Sequence, residues 1–409
     1  MPHSPSWLLP PGTSPDAALI FTARGIRAFT DGYVALLLPY YLTLLGFTAF
    51  EVGVIATATL LGSGLLTLLV GLFAYRFRTH VLLTVACLLM LGTGLGFAAV
   101  TDFWPLLLIS LIGTLNPSSG DVSVFSPLEQ SLLSHAGTNE QRTALFARYS
   151  LVGNLVGALG ALAAAVPGML VQWNLLELKT ALQVMFVVYG LSSLVVLALY
   201  RRLASASARG EETRAAPLGP SKGIVYRLAA LFSLDAFAGG FVVNSLLALW
   251  LFQRFDLSVE AAGTIFFSTG LLAAMSFLAA PVIARRIGLV NTMVFTHLPA
   301  NIFCVLVPFM PTLPLAVLFL CLRAALSSMD VPARASYVMA VVSPAERPAA
   351  ASVTAVPRSL ASAASPMIAG YLLTLSTFGW PLVICGALKI AYDLTLLGMF
   401  RKVKPPEEK

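Results

Sequence analysis

Residues 26–34 read IRAFTDGYV and residues 234–242 read LDAFAGGFV, so one pattern of aromatic, small and glycine residues occurs twice, 208 residues apart. Each copy lies inside a long apolar run. Three further matches follow in the same order: Arg76 with Arg286, SGDVSVF around Asp121 with SMDVPAR around Asp330, and NEQRTA around Arg142 with AERPAA around Arg347. Four matches in one order indicate that the second half of the chain repeats the first.

The composition is that of a membrane protein. Of the 409 residues, 58% are hydrophobic and only 11% are charged, whereas soluble domains carry about 25% charged residues. A helix of about 20 apolar residues crosses the hydrocarbon core of a bilayer. We therefore predict an all-α membrane protein with twelve transmembrane helices, at about 17–45, 50–74, 81–100, 104–131, 144–170, 180–200, 225–252, 258–284, 289–309, 313–338, 350–374 and 380–400.

The distribution of Lys and Arg predicts the topology. If the N-terminus is cytoplasmic, the outer loops hold only Lys179 and Arg254, and all other loop Lys and Arg residues lie inside. Because positive loops stay in the cytoplasm, both termini are predicted to be cytoplasmic, and the net charge of +7 requires no nucleic-acid partner. The predicted domains are a tail over 1–16, a six-helix bundle over 17–200, a linker over 201–224, a second six-helix bundle over 225–400 and a tail over 401–409.

Charged side chains inside the predicted spans are candidates for function, because a charge in the membrane is costly unless it is paired or faces a water-filled cavity. The basic ones are Arg24, Arg27, Arg323, Arg358 and Lys389, and the acidic ones are Asp31, Asp121, Asp235, Asp330 and Asp393. Arg27 and Asp31 lie one helical turn apart and can pair locally. Lys389 and Asp393 have the same spacing and are predicted to form a structural pair.

No sequence pattern favours an enzyme. The four histidines lack metal-like spacing, the four cysteines lie apart within apolar spans, and no G-x-x-x-x-G-K-[ST] phosphate loop is present. We therefore expect no cofactor, no metal site and no ATP-driven step.

The loop motifs and the repeat together resemble the major facilitator superfamily. The loop after span 2, GLFAYRFRT, keeps Gly71 and Arg76 of the family's G-x-x-x-D-R-x-G-R motif, with Tyr75 in place of its Asp. Span 5 reads GNLVGALGAL and span 11 reads ASAASPMIAG, and both are similar to a small-residue motif of exporters. The same small residues also suit close helix packing. The pattern is most similar to bacterial drug:proton antiporter-like exporters.

The resemblance implies two pseudo-symmetric six-helix bundles with a central cavity lined by spans 1, 4, 7 and 10. Spans 1 and 7 would then face each other, with Arg27 opposite Asp235 as a switchable pair, as a fixed structural bridge or without contact. Asp31 and Asp235 are the predicted proton-coupling residues, since a buried carboxylate with a movable Arg neighbour can gain and release a proton.

The stretch LNPSSG at 115–120 predicts a break in span 4 that would show Asn116 to the cavity. The predicted substrate-cavity residues are Arg24, Arg27, Tyr33, Tyr40, Asn116, Phe237, Phe241, Asn244, Arg323 and Arg358. The predicted gating residues lie near or in the cytoplasmic loops and are Arg76, Asp121, Glu140, Arg142, Arg286, Asp330, Glu346 and Arg347.

These features predict a secondary active transporter that works by alternating access, located in the inner or plasma membrane as a monomer. Its partners are the bilayer, protons and a small-molecule substrate. The favoured function is proton-coupled export of a small amphiphilic or organic compound. The alternatives are an importer or facilitator of a small organic anion, attracted by Arg24, Arg27, Arg323 and Arg358, and, from another class, a transport-inactive scaffold or sensor.

Overall fold

The computed structural model describes residues 13–73, 77–117, 123–134, 139–203, 219–343 and 346–401, and apart from two short 3₁₀ turns the regular elements in these ranges are α-helices. They are α1 (Pro15–Leu44), α2 (Ala49–Phe73), α3 (Thr79–Ala99), α4 (Phe103–Ile112), α5 (Phe125–Ser134), α6 (Asn139–Leu162), α7 (Val166–Gln172), α8 (Leu178–Tyr200), α9 (Lys222–Gly240), α10 (Asn244–Phe255), α11 (Val259–Ile287), α12 (Leu289–Leu306), α13 (Leu313–Ser327), α14 (Asp330–Ala340), α15 (Arg347–Leu375) and α16 (Trp380–Phe400).

Nine helical stretches in the described ranges are long and apolar enough to cross a membrane. They correspond to predicted spans 2, 3, 5 to 10 and 12, so the chain is a multi-pass membrane protein. The other three predicted spans are also helical, but α1 carries three internal charges, α4 and α5 are separated by a break, and α15 is rich in Ala and Ser. A total of twelve spans, and the cytoplasmic location of both termini, remain predictions.

The chain divides into two compact units, which we call the N-terminal unit (Met1–Gly210 with Ser258–Phe267) and the C-terminal unit (Glu211–Leu257 with Ser268–Lys409). In the N-terminal unit α1 packs against α6 and α8, α3 packs against α8, and α2 packs against α4. In the C-terminal unit α9 packs against α15 and α16, while α12 packs against α13, α14 and α16. The apolar core of the C-terminal unit therefore forms around α9, α12 and α16.

Three of the predicted spans are interrupted rather than continuous. Span 4 loses its helix after Ile112, just before the predicted break at 115–120. Span 7 is broken between α9 and α10, and span 10 between α13 and α14. Backbone groups freed by such breaks are tolerated in a membrane only where protein or water satisfies them, and residues 113–117 and 241–243 at two of the breaks are buried.

A close backbone approach joins α1 to α6 in the N-terminal unit. A methyl group added at Gly32 would overlap the carbonyl oxygen of Gly157, and one added at Gly160 would overlap the carbonyl oxygen of Phe29. Small residues permit this approach in membrane helices, where tight packing supplies much of the association energy. The glycines of span 5 therefore have a packing role, in agreement with that interpretation of GNLVGALGAL.

The C-terminal unit repeats this approach with α9 and α15. A methyl group at Gly240 would overlap Ser362 and Ser365, and the Ser365 hydroxyl donates to the Phe237 carbonyl at 2.6 Å. Gly240 is the residue that matches Gly32 in the sequence repeat. The small residues of ASAASPMIAG thus serve the equivalent contact.

We predict that Gly32→Ala lowers the stability of the protein by about 1–3 kcal/mol, because its methyl group forces two backbones apart. The matched control is Gly92→Ala in α3, where an added methyl group meets no atom within 4 Å; there the better helix propensity of Ala leaves stability unchanged or higher. Thermal unfolding of both variants in detergent measures the difference. Equal melting temperatures would contradict the close contact.

Candidate functional site

Four polar side chains form a buried cluster in the N-terminal unit, which we call the Glu129 cluster. Arg27 of α1 forms a salt bridge with Glu129 of α5. The hydroxyls of Tyr149 and Tyr200 also donate to the Glu129 carboxylate, at 2.5 Å and 2.6 Å. The Arg27 guanidinium lies 4.2 Å from the centroid of the Phe125 ring. Glu129 therefore links α1, α5, α6 and α8 through one carboxylate.

Other predicted residues of α1 surround this cluster. Arg24 is buried against Gly153 and lies 5.0 Å from the centroid of the Tyr149 ring. Tyr33 donates its hydroxyl to the carbonyl of Met185 at 3.1 Å, so it ties α1 to α8. Asp31 is also buried, one turn beyond Arg27. The predicted local pair is not a direct salt bridge among the described residues, because the Arg27 guanidinium bonds Glu129, but Asp31 lies within electrostatic reach of Arg27 and Arg24.

A second cluster of buried charges occupies the C-terminal unit, and we call it the Asp235 cluster. Asp235 of α9 accepts from Lys389 of α16 at 2.5 Å and from Arg334 of α14 at 2.9 Å. Arg334 also pairs with Asp330 at 2.9 Å along α14. Asp330 was predicted to be structural or gating, and its contact is with Arg334 inside the unit.

His297 of α12 extends this cluster. Its Nδ1 lies 2.9 Å from Asp393, and its Nε2 lies 4.0 Å from Asp235. Asn301 donates to the other Asp393 oxygen at 2.8 Å. The predicted pair of Lys389 with Asp393 is therefore wrong, because the cation of span 12 reaches across to α9 and the carboxylate bonds α12 instead.

The two clusters contain the same salt bridge with its charges exchanged. Arg27 and Asp235 are 208 residues apart, at matched positions of the repeat, and the residues that they bond, Glu129 and Arg334, follow the matched Asp121 and Asp330 by eight and four residues. Glu129 and Arg334 were missed as site residues, although both lie inside predicted spans. The opposite charges at the matched positions 27 and 235 each require a partner of opposite sign, which is the sequence signal that could have found them.

Arg27 and Asp235 were also considered as partners of each other. The structure gives each of them an ion pair within its own unit, Arg27 with Glu129 and Asp235 with Arg334 and Lys389. These bonds satisfy both charges inside their own units, and the pairing of Arg27 with Asp235 stays a prediction.

The remaining substrate-cavity residues have varied environments. Asn116 is buried beside the break in span 4, and Tyr40 is half-buried near the end of α1. Phe237 and Phe241 contact each other edge to face, with ring centroids 5.4 Å apart, and Asn244 opens α10 after the break in span 7. Arg323 is half-buried on α13. Arg358 of α15 lines a cavity of about 210 Å³ together with Arg334.

The other predicted gating residues differ in what the structure describes of them. Arg76 and Asp121 lie outside the described residues, and for Glu140, Arg142 and Arg347 the structure describes only the helical backbone. Arg286 is exposed at the end of α11. Glu346 accepts hydrogen bonds from the Gly219 amide at 2.5 Å, the Ser221 hydroxyl at 2.9 Å and the Ser343 hydroxyl at 2.8 Å. It therefore fastens the start of α9 to the start of α15.

The described residues contain no group of three or more His, Cys, Asp or Glu side chains that could hold a metal ion. The chemistry available in the two clusters is ion pairing and proton exchange.

We predict that Glu129→Gln destabilises the protein by about 3–5 kcal/mol, because it leaves the Arg27 guanidinium buried without its counter-charge. Glu177→Gln, at an exposed glutamate before α8, is the control and should have the melting temperature of the wild type. The double variant Arg27→Gln with Glu129→Gln should lose less stability than the sum of the losses of the two single variants. Strictly additive losses in thermal unfolding would show that the two residues do not interact.

Glu346 gives a pH prediction outside the membrane-spanning segments. Hydrogen bonds from Ser343, Gly219 and Ser221 lower the pKa of its carboxyl to about 2 from 4.5. A lowered folded-state pKa contributes stability that is present above the unfolded value and is lost as the pH falls toward the folded value. The stability advantage of the wild type over Glu346→Gln should therefore be constant above about pH 5 and shrink between pH 4.5 and 2. An advantage that does not change across this range of thermal unfolding experiments would refute the assignment.

Comparison with known proteins agrees with this architecture. The sequence profile of the Major Facilitator Superfamily matches residues 20–327. The uncharacterized membrane protein YJR124C of Saccharomyces cerevisiae is 25% identical over 423 residues, which cover 95% of this chain and 94% of that protein.

Solved transporter structures share the fold. The nucleoside transporter NupG superposes with a TM-score of 0.71 at 13% identity, covering 95% of this chain and 100% of its own. A bacterial homologue of the human lysosomal transporter Spinster superposes with a TM-score of 0.72 at 13% identity, and the match covers 94% of this chain and 95% of that one. The human organic anion transporter MFSD10 superposes with a TM-score of 0.66 at 19% identity, and the match covers 94% of this chain and 100% of that one. Since the profile spans most of its length, the chain belongs to the major facilitator superfamily.

Proposed function

We propose that the protein is a secondary active transporter that exports a small amphiphilic or organic compound in exchange for protons, by alternating access. The observation that carries the proposal is the position of Asp31, a buried carboxylate in α1 one turn from Arg27, whose guanidinium is bound to Glu129. Ionisable side chains inside membrane helices commonly form proton relays. A change in the partner of Arg27 would change the electrostatic environment of Asp31, and with it the affinity of Asp31 for a proton.

Asp235 is the corresponding buried carboxylate of the C-terminal unit, but it is bound by more ion pairs than Asp31. Lys389 and Arg334 both hold its carboxylate. Protonation of Asp235 would remove the charge that binds these two cations, so it requires that they move. In this mechanism Asp31 takes up and releases the coupled proton. The ion pairs of Asp235 rearrange when the conformation changes.

The proposed setting is the inner or plasma membrane, with the protein acting as a monomer. The substrate would contact the aromatic and polar side chains of spans 1 and 7, among them Tyr40, Phe237 and Phe241. Membership of a transporter superfamily supports this role over a scaffold or sensor.

A second candidate, transport of a small organic anion by import or facilitation, is favoured by one observation. Arg334 and Arg358 line the same cavity in the C-terminal unit. A solved relative in fold, MFSD10, is an organic anion transporter. The direction of the pH gradient that drives accumulation separates the two candidates, since export by exchange requires an acidic interior in inverted vesicles.

We predict that Asp31→Asn abolishes gradient-driven accumulation of substrate in inverted vesicles while the melting temperature stays near that of the wild type. The amide keeps the shape of the side chain and cannot exchange a proton. The assay uses radiolabelled hexanoate and tetraphenylphosphonium as anionic and cationic amphiphiles, and accumulation of either is scored.

The matched control is Asp102→Asn, at an exposed aspartate before α4, which should accumulate substrate like the wild type. Full accumulation by Asp31→Asn would remove Asp31 from the mechanism. Absence of accumulation by the wild type with either compound, in both vesicle orientations, would count against proton-coupled transport of small amphiphiles.

A further inference from the structure

The C-terminal unit contains a cavity of about 210 Å³ between α9, α14 and α15. Its wall is mainly apolar, with Phe232, Val338 and Met339 among the lining side chains. Its polar groups are the guanidiniums of Arg334 and Arg358 and the hydroxyl of Thr354. Ligand sites of this kind combine an apolar wall with a few polar groups that fix orientation.

The charge of the cavity wall has one sign. Among the described residues that line it, the two charged ones are arginines and none is a carboxylate. Arg334 is held from behind by Asp235 and Asp330, each at 2.9 Å, and its Cζ lies 5.4 Å from the centroid of the Phe232 ring. Its position is therefore fixed before any ligand arrives.

Arg358 differs from Arg334 in its partners. Within the described residues Arg358 has no carboxylate at ion-pair distance. The charged group with the strongest influence on it is the like-charged Arg334, and the carboxylates of Asp235 and Asp330, which Arg334 binds, act on it more weakly. The side chain of Arg358 is exposed on α15, which is a predicted membrane span, and a cation in such a span is costly unless it is paired or faces water. An anion placed between the two guanidiniums would supply that counter-charge.

We propose that this cavity binds an organic monoanion, with a carboxylate between Arg358 and Arg334 and an apolar body against Phe232, Val338 and Met339. Planar guanidiniums bind a carboxylate through paired N–H donors. A cationic compound would be repelled, and a neutral one would leave Arg358 without a partner. The proposal deepens the proposed function, on which it rests, by giving the substrate a negative charge and an apolar body.

The anion also has a defined consequence for the Asp235 cluster. Arg334 already binds two carboxylates, so a third at the cavity competes with Asp235 and Asp330 for its donors. Occupation of the cavity would thus weaken the bond from Arg334 to Asp235 and leave Asp235 more dependent on Lys389.

Ligand binding to the purified protein in detergent tests the site without a membrane gradient. The probes are benzoate, hexanoate and indole-3-acetate, each beside its neutral amide, with inorganic phosphate at equal ionic strength. A ligand that binds the folded state raises the melting temperature, so at least one acid should raise it by a few degrees more than its amide and more than phosphate. If no acid exceeds its amide, or if phosphate alone has the same effect, the proposal is overturned.

Variants locate the binding. Arg358→Gln should lose the acid-induced shift, and Arg254→Gln, an exposed arginine at the end of α10, should keep it. Should Arg358→Gln fail to fold, the exposed lining residue Ala355 provides a second measurement. The thiol of Ala355→Cys, compared with the wild-type background, should react more slowly with a maleimide in the presence of the acid than of its amide. Equal rates would overturn the proposal.

Failure of this inference can be told from failure of the proposed function. Acid binding at Arg358 without gradient-driven accumulation would leave the site standing and remove the transport mechanism. Accumulation that depends on Asp31, without any acid binding at Arg358, would do the reverse.

Discussion

A charge inside a membrane-spanning helix is costly unless it is paired or faces water, and ion pairs inside each helix bundle meet this cost for Arg27, Asp235 and their partners. In the N-terminal unit Glu129 collects one cation and two tyrosine hydroxyls, which fixes α1, α5, α6 and α8 at one point. In the C-terminal unit Asp235 collects two cations from α14 and α16. Removing one member of such a pair is far more costly than the bond is worth, because the remaining charge stays buried.

Glycine contacts hold the same two helices, α1 and α9, against further helices of their units. The backbones of α1 and α6 touch at Gly32 and Gly160, and those of α9 and α15 touch at Gly240. Gly153 has a second use, since the absence of a side chain there makes room for the Arg24 guanidinium. Glycine positions thus serve both the close packing of helices and the placement of charged side chains.

The sequence predicted a large part of this architecture and little of the pairing. Hydropathy and the 208-residue repeat predicted the helices, because both signals are local or periodic. Which charges form a salt bridge depends on contacts between helices that are distant in sequence. The spacing of Lys389 with Asp393, and of Arg27 with Asp31, along one helix therefore did not predict the salt bridges that form. His297 was missed because an isolated histidine in an apolar span has no pattern of its own, whereas its place between Asp235 and Asp393 exists only after folding.

The exchange of charges between the two salt bridges has a consequence for assembly during synthesis. Two similar halves emerge from the same ribosome, and a helix of one half could dock in the equivalent place of the other. Docking of α1 against α14 would set Arg27 against Arg334, and docking of α9 against α5 would set Asp235 against Glu129. Both wrong combinations place like charges together, and specificity often comes from such a repulsive element as much as from the correct contact. Opposite polarity in otherwise similar halves therefore disfavours the docking of a helix in the wrong bundle.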